Sequence, residues 1–213
     1  MNPTIFTKLL LFIYCLLLIT GIQGNFVFTV LAQNTVFLES KNNSSKLSRQ
    51  EELDLKQGKV VLKGQKGIYL GQVIAKGNID TAWEVLTDYN NFDRFLPDIA
   101  ASKIIKQHGD RVIFEQVNVV DLWLFQQEFK VQIEAIKSKP SKIDFKLVDG
   151  DLKKLIGRWH LIETSPGKIS VSHAVQVEPG ADTEKPFFYG VYESSLEETL
   201  KAIAIEIDKR SQS

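Results

Sequence analysis

Four consecutive stretches in the second half of the chain alternate apolar and polar residues with a period of two, and nothing else in the sequence constrains the fold as much. Phe129, Val131, Ile133 and Ala135 interleave with Glu128, Lys130, Gln132 and Glu134, and Ile143, Phe145 and Leu147 with Lys142, Asp144 and Lys146. Leu155, Gly157, Trp159 and Leu161 follow, then Ile169, Val171, His173, Val175 and Val177. Successive strand residues point to opposite faces, so these runs predict one sheet with a wet face and a covered face. The breaks at Lys139-Pro140-Ser141, Asp149-Gly150-Asp151 and Ser165-Pro166-Gly167 are short enough only for hairpins, which makes the sheet antiparallel. The predicted strands are Ser102–Lys106, Arg111–Val120, Glu128–Lys137, Lys142–Val148, Leu155–Glu163 and Lys168–Val177.

The cover is expected from the C-terminal end. Pro186 suits a first helical turn, and Tyr189, Tyr192, Leu196, Leu200, Ile203 and Ile207 recur at helical spacing up to Lys209-Arg210. Upstream, Lys59–Lys63 and Ile68–Lys76 flank Gly64–Gly67 and read as a hairpin. Asp80 is expected to cap a short helix with Ala82, Val85, Leu86 and Tyr89 on its apolar side, and Pro97 to end a second turn carrying Phe92, Phe95 and Leu96. With no alternation of strands and helices, a parallel sheet is excluded and the class is α+β.

The chain divides into three parts. Lys8 precedes the apolar run Leu9–Ile19, which has the length of a signal-peptide core, and Val30-Leu31-Ala32 supplies the residues a signal peptidase needs. Residues 1–32 are therefore expected to be a signal peptide, with an uncleaved membrane anchor as the alternative, since 9–32 is long enough to span. Residues 33–57 are polar and aperiodic and are expected to form a flexible tether. Residues 58–210 are the folded domain. Export to the periplasm or another extracytoplasmic compartment follows, the thylakoid lumen in a photosynthetic host. Lys plus Arg equal Asp plus Glu at 26 each, so no one-sided field exists to attract nucleic acid. The single cysteine, Cys15, lies in the leader, leaving the domain no thiol.

The order of elements, together with the segment Thr87-Asp88-Tyr89-Asn90-Asn91-Phe92-Asp93-Arg94-Phe95-Leu96-Pro97, resembles the polyketide cyclase/dehydrase and coenzyme-Q-binding branch of the START-like (SRPBCC) superfamily. Val148-Asp149-Gly150-Asp151-Leu152-Lys153 before Gly157-x-Trp159, and Phe188-Tyr189-Gly190 leading into Ser195–Leu200, extend the resemblance over about residues 60–210. It implies a helix-grip fold, a curved sheet around a long helix with an apolar cavity between them. Proteins of this kind bind quinones, lipids, sterols or polyketides, and a minority are cyclases.

The residues themselves show little recognisable chemistry. His108, His160 and His173 are far apart, with no partner at metal-ligand spacing, and no glycine motif precedes a helix as a phosphate cradle would. Ser172 and His173 are strand neighbours, so they face opposite ways and make no nucleophile–base pair. His173 lies in the middle of an apolar face, where an unpaired polar group costs about 1–3 kcal/mol. It reads as a core histidine bonded to a carbonyl, as an anchor for a ligand's polar end, or as a general acid–base. Trp159 is either core filler or cavity wall. Arg94, Arg111 and Arg158 are candidate cavity cations, with ordinary surface positions as the alternative. Of Glu115 and Gln116 one must face inward, and periodicity does not choose between them.

Cavity-lining residues are expected to be Phe129, Val131, Phe145, Trp159, Val171, His173, Tyr189, Tyr192 and Leu196. Trp123 and Phe125, at an apolar hairpin tip, and Phe188 are expected to form a mouth or a membrane-docking tip, unless the tip packs into the core. No catalytic residue, cofactor or metal is expected. The expected partners are an apolar small molecule and a membrane surface, and the expected role is exported binding or carriage of a lipid, quinone, isoprenoid or pigment. A cyclase or dehydratase is the alternative, and an interaction module with a filled core the third reading.

Overall fold

The computed structural model describes residues 47–121, 126–181 and 183–212. Helix α1 (Arg49–Lys56) is followed by strands β1 (Val61–Gln65) and β2 (Ile68–Lys76), helix α2 (Ile79–Thr87) and a single 3-10 turn at Phe92–Arg94. Six strands follow: β3 (Ile99–His108), β4 (Arg111–Asp121), β5 (Gln126–Ser138), β6 (Lys142–Gly150), β7 (Leu152–Ser165) and β8 (Lys168–Pro179). Helix α3 (Lys185–Arg210) ends the chain. The strands form one antiparallel sheet in the order β1-β2-β8-β7-β6-β5-β4-β3. Between β2 and β3, α2 and the 3-10 turn carry the chain from beside one edge of the sheet to the opposite edge. This is the α+β helix-grip architecture the sequence predicts, with longer strands than expected at β3 and β7.

The predicted phase of every strand from β5 to β8 is the observed one. Val131, Ile133, Ala135, Ile143, Leu155, Leu161, Ile169, Val171, Val175 and Val177 are all buried on the inner face. Register shifts at Gln132/Ile133 in β5–β6 and at Ile104/Lys106 in β3–β4 add local twist, which helps the sheet curve around its contents. The outer face is held by ion pairs that cross strands. Glu134 on β5 bonds Arg111 on β4 at 2.6 Å and Lys146 on β6 at 3.1 Å, and Asp144 on β6 pairs with Arg158 on β7.

Helix α3 rests on the sheet where the backbone allows it. At Gly71, opposite His173 in the β2–β8 register, an added Cβ would lie 2.3 Å from Leu200 Cδ1, so the missing side chain lets the helix approach β2. Below this contact Leu200, Ile203 and Ile207 are buried. The C-terminal turn is tied to the family-like segment: the Arg210 guanidinium donates to Asp88 at 2.9 Å and to Glu206 at 2.8 Å, and lies 5.3 Å from the Phe95 ring centre.

Two sequence expectations change here. The α2 cap is Asn78, whose side chain accepts from Thr81 N at 2.8 Å, while Asp80 lies in the first turn. Part of the stretch expected to be a flexible tether, 33–57, is helical: α1 buries Leu55 and is pinned by Glu51 to Lys63 at 2.9 Å and Asp54 to Lys59 at 2.9 Å. Its leucines at Leu53 and Leu55 are too few for a periodic signal, and the helix becomes stable only by packing on β1 and β2. Residues 1–32 and 33–46, the expected leader and the rest of the tether, lie outside the described residues.

Candidate functional site: an apolar cavity under the helix

Helix α3 touches β2 closely but leaves the middle of the sheet uncovered, and a cavity of about 250 Å³ fills that gap. Its sheet wall comes from β4 to β7 together with Ile99 of β3 and His173 of β8. The opposite walls are Val85 and Leu86 of α2, the segment carrying Tyr89, Phe92 and Leu96, and one side of α3. The volume lies just below the roughly 300–1,000 Å³ usual for small-molecule sites, and the lining is predominantly apolar, as such sites require.

Of the predicted lining residues, Phe129, Val131, Phe145, Trp159, His173, Tyr192 and Leu196 meet around this cavity, and so does Phe188. Val171 and Tyr189 do not. Val171 is fully buried between Val73 of β2 and Leu161 of β7, in the part of the sheet packed solidly under α3. Tyr189 lies on the other side of the helix, against Gly67 in the β1–β2 turn, where its carbonyl accepts from the Tyr69 hydroxyl at 3.3 Å. One helical stripe, Phe188, Tyr192, Ser195 and Thr199, lines the cavity, while the stripe through Tyr189 and Leu200 meets the sheet near β2. Trp123 and Phe125 lie outside the described residues.

His173 sits at the back wall. It is 5 % exposed, its ring lies parallel to Phe145 (7°, centroids 5.4 Å apart) and it tilts against Trp159 at 3.8 Å. This aromatic stack depends on Gly157, since a Cβ there would come within 2.4 Å of both Phe145 Cζ and the Ala174 carbonyl oxygen. Burial pushes the imidazole down to about 3, so it is neutral at physiological pH. Its Nδ1 has no hydrogen-bond partner, against the expectation of a carbonyl-bonded core histidine. Gly157→Ala is expected to destabilise the fold by about 1–3 kcal/mol in urea melts and to disturb the near-ultraviolet signal of Trp159, because either the ring or the strand must move.

At the other end Tyr89 stacks on Phe114 (4.3 Å, 24°) and meets Phe92 edge-on (5.4 Å, 74°). Its hydroxyl is also buried without a partner, and burial raises its pKa. Between β4 and α3 the lining turns polar through Gln116, Asn118, Gln127, Thr183 and Ser195, and the exposed Asp98 accepts from the Ser195 hydroxyl at 2.8 Å. Together with Phe187, 52 % exposed, this end forms the mouth.

The ambiguity on β4 resolves in favour of Gln116 inward. Glu115 faces out, where Lys130 at 2.9 Å, Gln132 at 3.2 Å and Lys103 at 3.2 Å hold its carboxyl down at about 2, the Lys130 hydrogen bond acting most strongly. None of the three candidate arginines reaches the cavity: Arg111 and Arg158 are in the outer-face pairs and Arg94 is exposed. Among the described residues no lysine or arginine lines it, no group of three or more His, Cys, Asp or Glu is placed to hold a metal ion, and no helix is long and apolar enough to cross a membrane. Sequence reasoning missed Tyr89, Phe92 and Leu96 as wall residues. The signal was available, since all three stand in the segment that carried the family resemblance.

A family model for polyketide cyclase / dehydrase and lipid transport matches residues 78–202. The chain belongs to this family. The match takes in α2, the Tyr89–Leu96 wall, β3 to β8 and most of α3, which are the elements that enclose the cavity. Solved structures with the same fold include a STAR-related lipid transfer protein from Xanthomonas axonopodis, 19 % identical with a TM-score of 0.57, covering 70 % of this chain and 92 % of that one. The Zhui aromatase/cyclase from Streptomyces sp. R1128 is 13 % identical with a TM-score of 0.56, covering 71 % and 95 %. A START superfamily protein from Mycobacterium smegmatis is 16 % identical with a TM-score of 0.53, covering 73 % and 98 %. At these identities the likeness is one of fold. No curated protein matches the sequence.

Proposed function

We propose that this polyketide cyclase / dehydrase and lipid transport family member binds and carries an apolar small molecule, of the lipid, quinone, isoprenoid or pigment kind, outside the cytoplasm. The observation that carries the reading is the cavity itself: about 250 Å³ walled by Phe, Leu, Ile, Val and Trp side chains between a rigid sheet and α3. Transferring apolar surface from water into such a space is favourable by about 25 cal/mol per Å², so burial alone supplies affinity. Extracytoplasmic carriage rests on the leader-like residues 1–32.

The cyclase or dehydratase reading has less support. A general acid–base works best with a pKa near the operating pH, and an imidazole held near 3 is far from it. Nor does a nucleophile stand beside His173, whose ring neighbours are Phe145 and Trp159.

Mass spectrometry of an organic extract of the purified mature protein tests carriage. An apolar compound at near-stoichiometric amount is expected. An empty protein that also takes up no fluorescent lipid or quinone probe would overturn the reading in favour of an interaction module. N-terminal sequencing of the same material tests export, with a start at Gln33 expected and an intact Met1 counting against cleavage.

A further inference from the structure

Helix α3 is held differently on its two sides. Towards β2 it has a packed seam. Gly71 admits Leu200, and Gly67 lets Tyr189 lie against the β1–β2 turn, where the Tyr69 hydroxyl donates to its carbonyl at 3.3 Å. Tyr69 also stacks on Tyr192, with centroids 5.9 Å apart. Towards the cavity the helix faces open space, and a hydrogen bond between residues 97 apart in the chain joins it to the opposite wall, from the Ser195 hydroxyl to Asp98 at 2.8 Å. Both residues line the mouth. The far end of the helix is fixed, with Leu200, Ile203 and Ile207 buried and Arg210 bonded to Asp88.

The two partners of that bond differ in freedom. Asp98 belongs to a wall tied to the sheet: its carbonyl accepts from Val119 N at 2.8 Å, Ser102 Oγ donates to the Tyr89 carbonyl at 2.6 Å, and Ile104 N donates to Asn90 Oδ1 at 2.8 Å. Tyr89 adds its stack on Phe114. Asp98 itself holds φ at 60°, a left-handed conformation that few side chains other than Asp and Asn tolerate. Ser195, by contrast, sits just after the part of α3 with the least local support. Glu184 makes no side-chain cap, the first turn contains no acid, and Lys185 stands where the helix dipole disfavours a cation. A Cβ at Gly190 would meet nothing within 4 Å. Tertiary contacts therefore hold these turns in place.

We propose that the Asp98–Ser195 hydrogen bond is the clasp of the cavity: the first half of α3 turns about its seam with β2, and cargo passes between α3 and the Asp98 wall when this bond breaks. The helix stays folded throughout and exchanges only its contact with that wall. A single exposed hydrogen bond costs little to break, so it restrains the helix without trapping it. The opening is confined to the mouth end, since Arg210 keeps the last turn of α3 on Asp88 and Phe95. This inference rests on the carriage reading above and adds the route of exchange and the residues that control it.

The test uses the full mature protein and aminoanthracene, an uncharged dye that brightens in apolar surroundings, with association and dissociation rates followed by stopped flow. Ser195→Ala removes the donor. Asp98→Gly removes the acceptor and suits the left-handed backbone, so it keeps the turn intact. Each is expected to speed association and dissociation together, by about threefold to tenfold. The dissociation constant should stay within about twofold, because the clasp is present with and without cargo and alters only the barrier between the two states. The double variant is expected to be no faster than either single one, since both break the same bond. Asp98→Asn keeps an acceptor oxygen and tolerates the same backbone, and should restore most of the wild-type rate. Faster dissociation alone, with affinity falling by the same factor, would mean that these residues hold the dye directly and would overturn the clasp. Rates that multiply in the double variant overturn it as well. Wild-type binding of the dye with unchanged rates in the variants leaves carriage standing and removes only the clasp. Failure of the wild type to bind the dye removes both.

Discussion

Val131→Trp is expected to fold and to lose its ligand, whereas Val171→Trp is expected to lose the fold. Both valines are buried on the inner face of neighbouring parts of the same sheet, 3 % and 0 % exposed. Val131 of β5 borders the open space of about 250 Å³, so an indole there has somewhere to go. Its expected cost in urea melts is below about 1 kcal/mol, and uptake of a fluorescent lipid or quinone should drop by an order of magnitude or more. Val171 has Val73 on one side and Leu161 on the other, in a region packed at the density of protein interiors. Overpacking such a site costs about 3 kcal/mol or more, since the ring enters only by displacing backbone. Val131→Ile, as a control, should retain both stability and uptake. If the two tryptophan variants destabilised equally while the wild type took up no probe, the space beneath α3 would be filled in solution and the carrier reading would fall.

Stability should fall on mild acidification, and His173 should be the main cause above pH 4.5. The folded-state pKa is depressed to about 3 by burial, against about 6.5 in an unfolded chain. Between those values the unfolded state binds one proton more than the native state, so unfolding free energy rises with pH. The contribution is fully present above about pH 6.5 and is lost as pH falls towards 3. The slope starts near half of, and approaches, about 1.4 kcal/mol per pH unit as pH falls below 6.5, which amounts to roughly 2 kcal/mol between pH 6.5 and 4.5. Among the described lining residues, Tyr89 and Tyr192 are neutral throughout this range and Asp98 is at the mouth, so none of them offsets the effect from inside. Glu115, Glu134 and Glu206 have lowered pKa values and add their own losses only at lower pH. His173→Phe should flatten the upper part of the profile, as read from urea midpoints at half-unit steps of pH. A variant profile as steep as the wild type's would place the acid sensitivity elsewhere.

The two predictions also mark the division between what was legible in the sequence and what was not. Strand phase was legible from β5 to β8 because a sheet wet on one side writes a two-residue period into the chain, and Phe129, Val131, Phe145 and His173 could be put on the inner face from that period alone. The identity of the final helix was legible for the same reason, at a period of 3.6. Phase names a face and says nothing about what lies above it. Val131 and Val171 read alike in sequence, and only the path of α3 separates them: Gly71 lets the helix sit down on β2, and the same path leaves β4 to β7 uncovered. Tyr189 was misassigned because one apolar stripe was taken to mean one neighbour, whereas α3 meets the sheet with one side and the cavity with the next. Glu115 and Gln116 could not be ordered on a strand apolar on both sides until β3 and β5 supplied lysines to one face. The sequence by itself determined the α+β class, the order of elements from β1 onward and the inward face of most of the sheet, because each is a local periodicity repeated many times, whereas α1 carried too few apolar residues to be read. Where the cavity lies, which buried polar atoms beside it are left unpartnered and which valine borders it were decided by tertiary structure alone, because each depends on the distance between elements far apart in the chain.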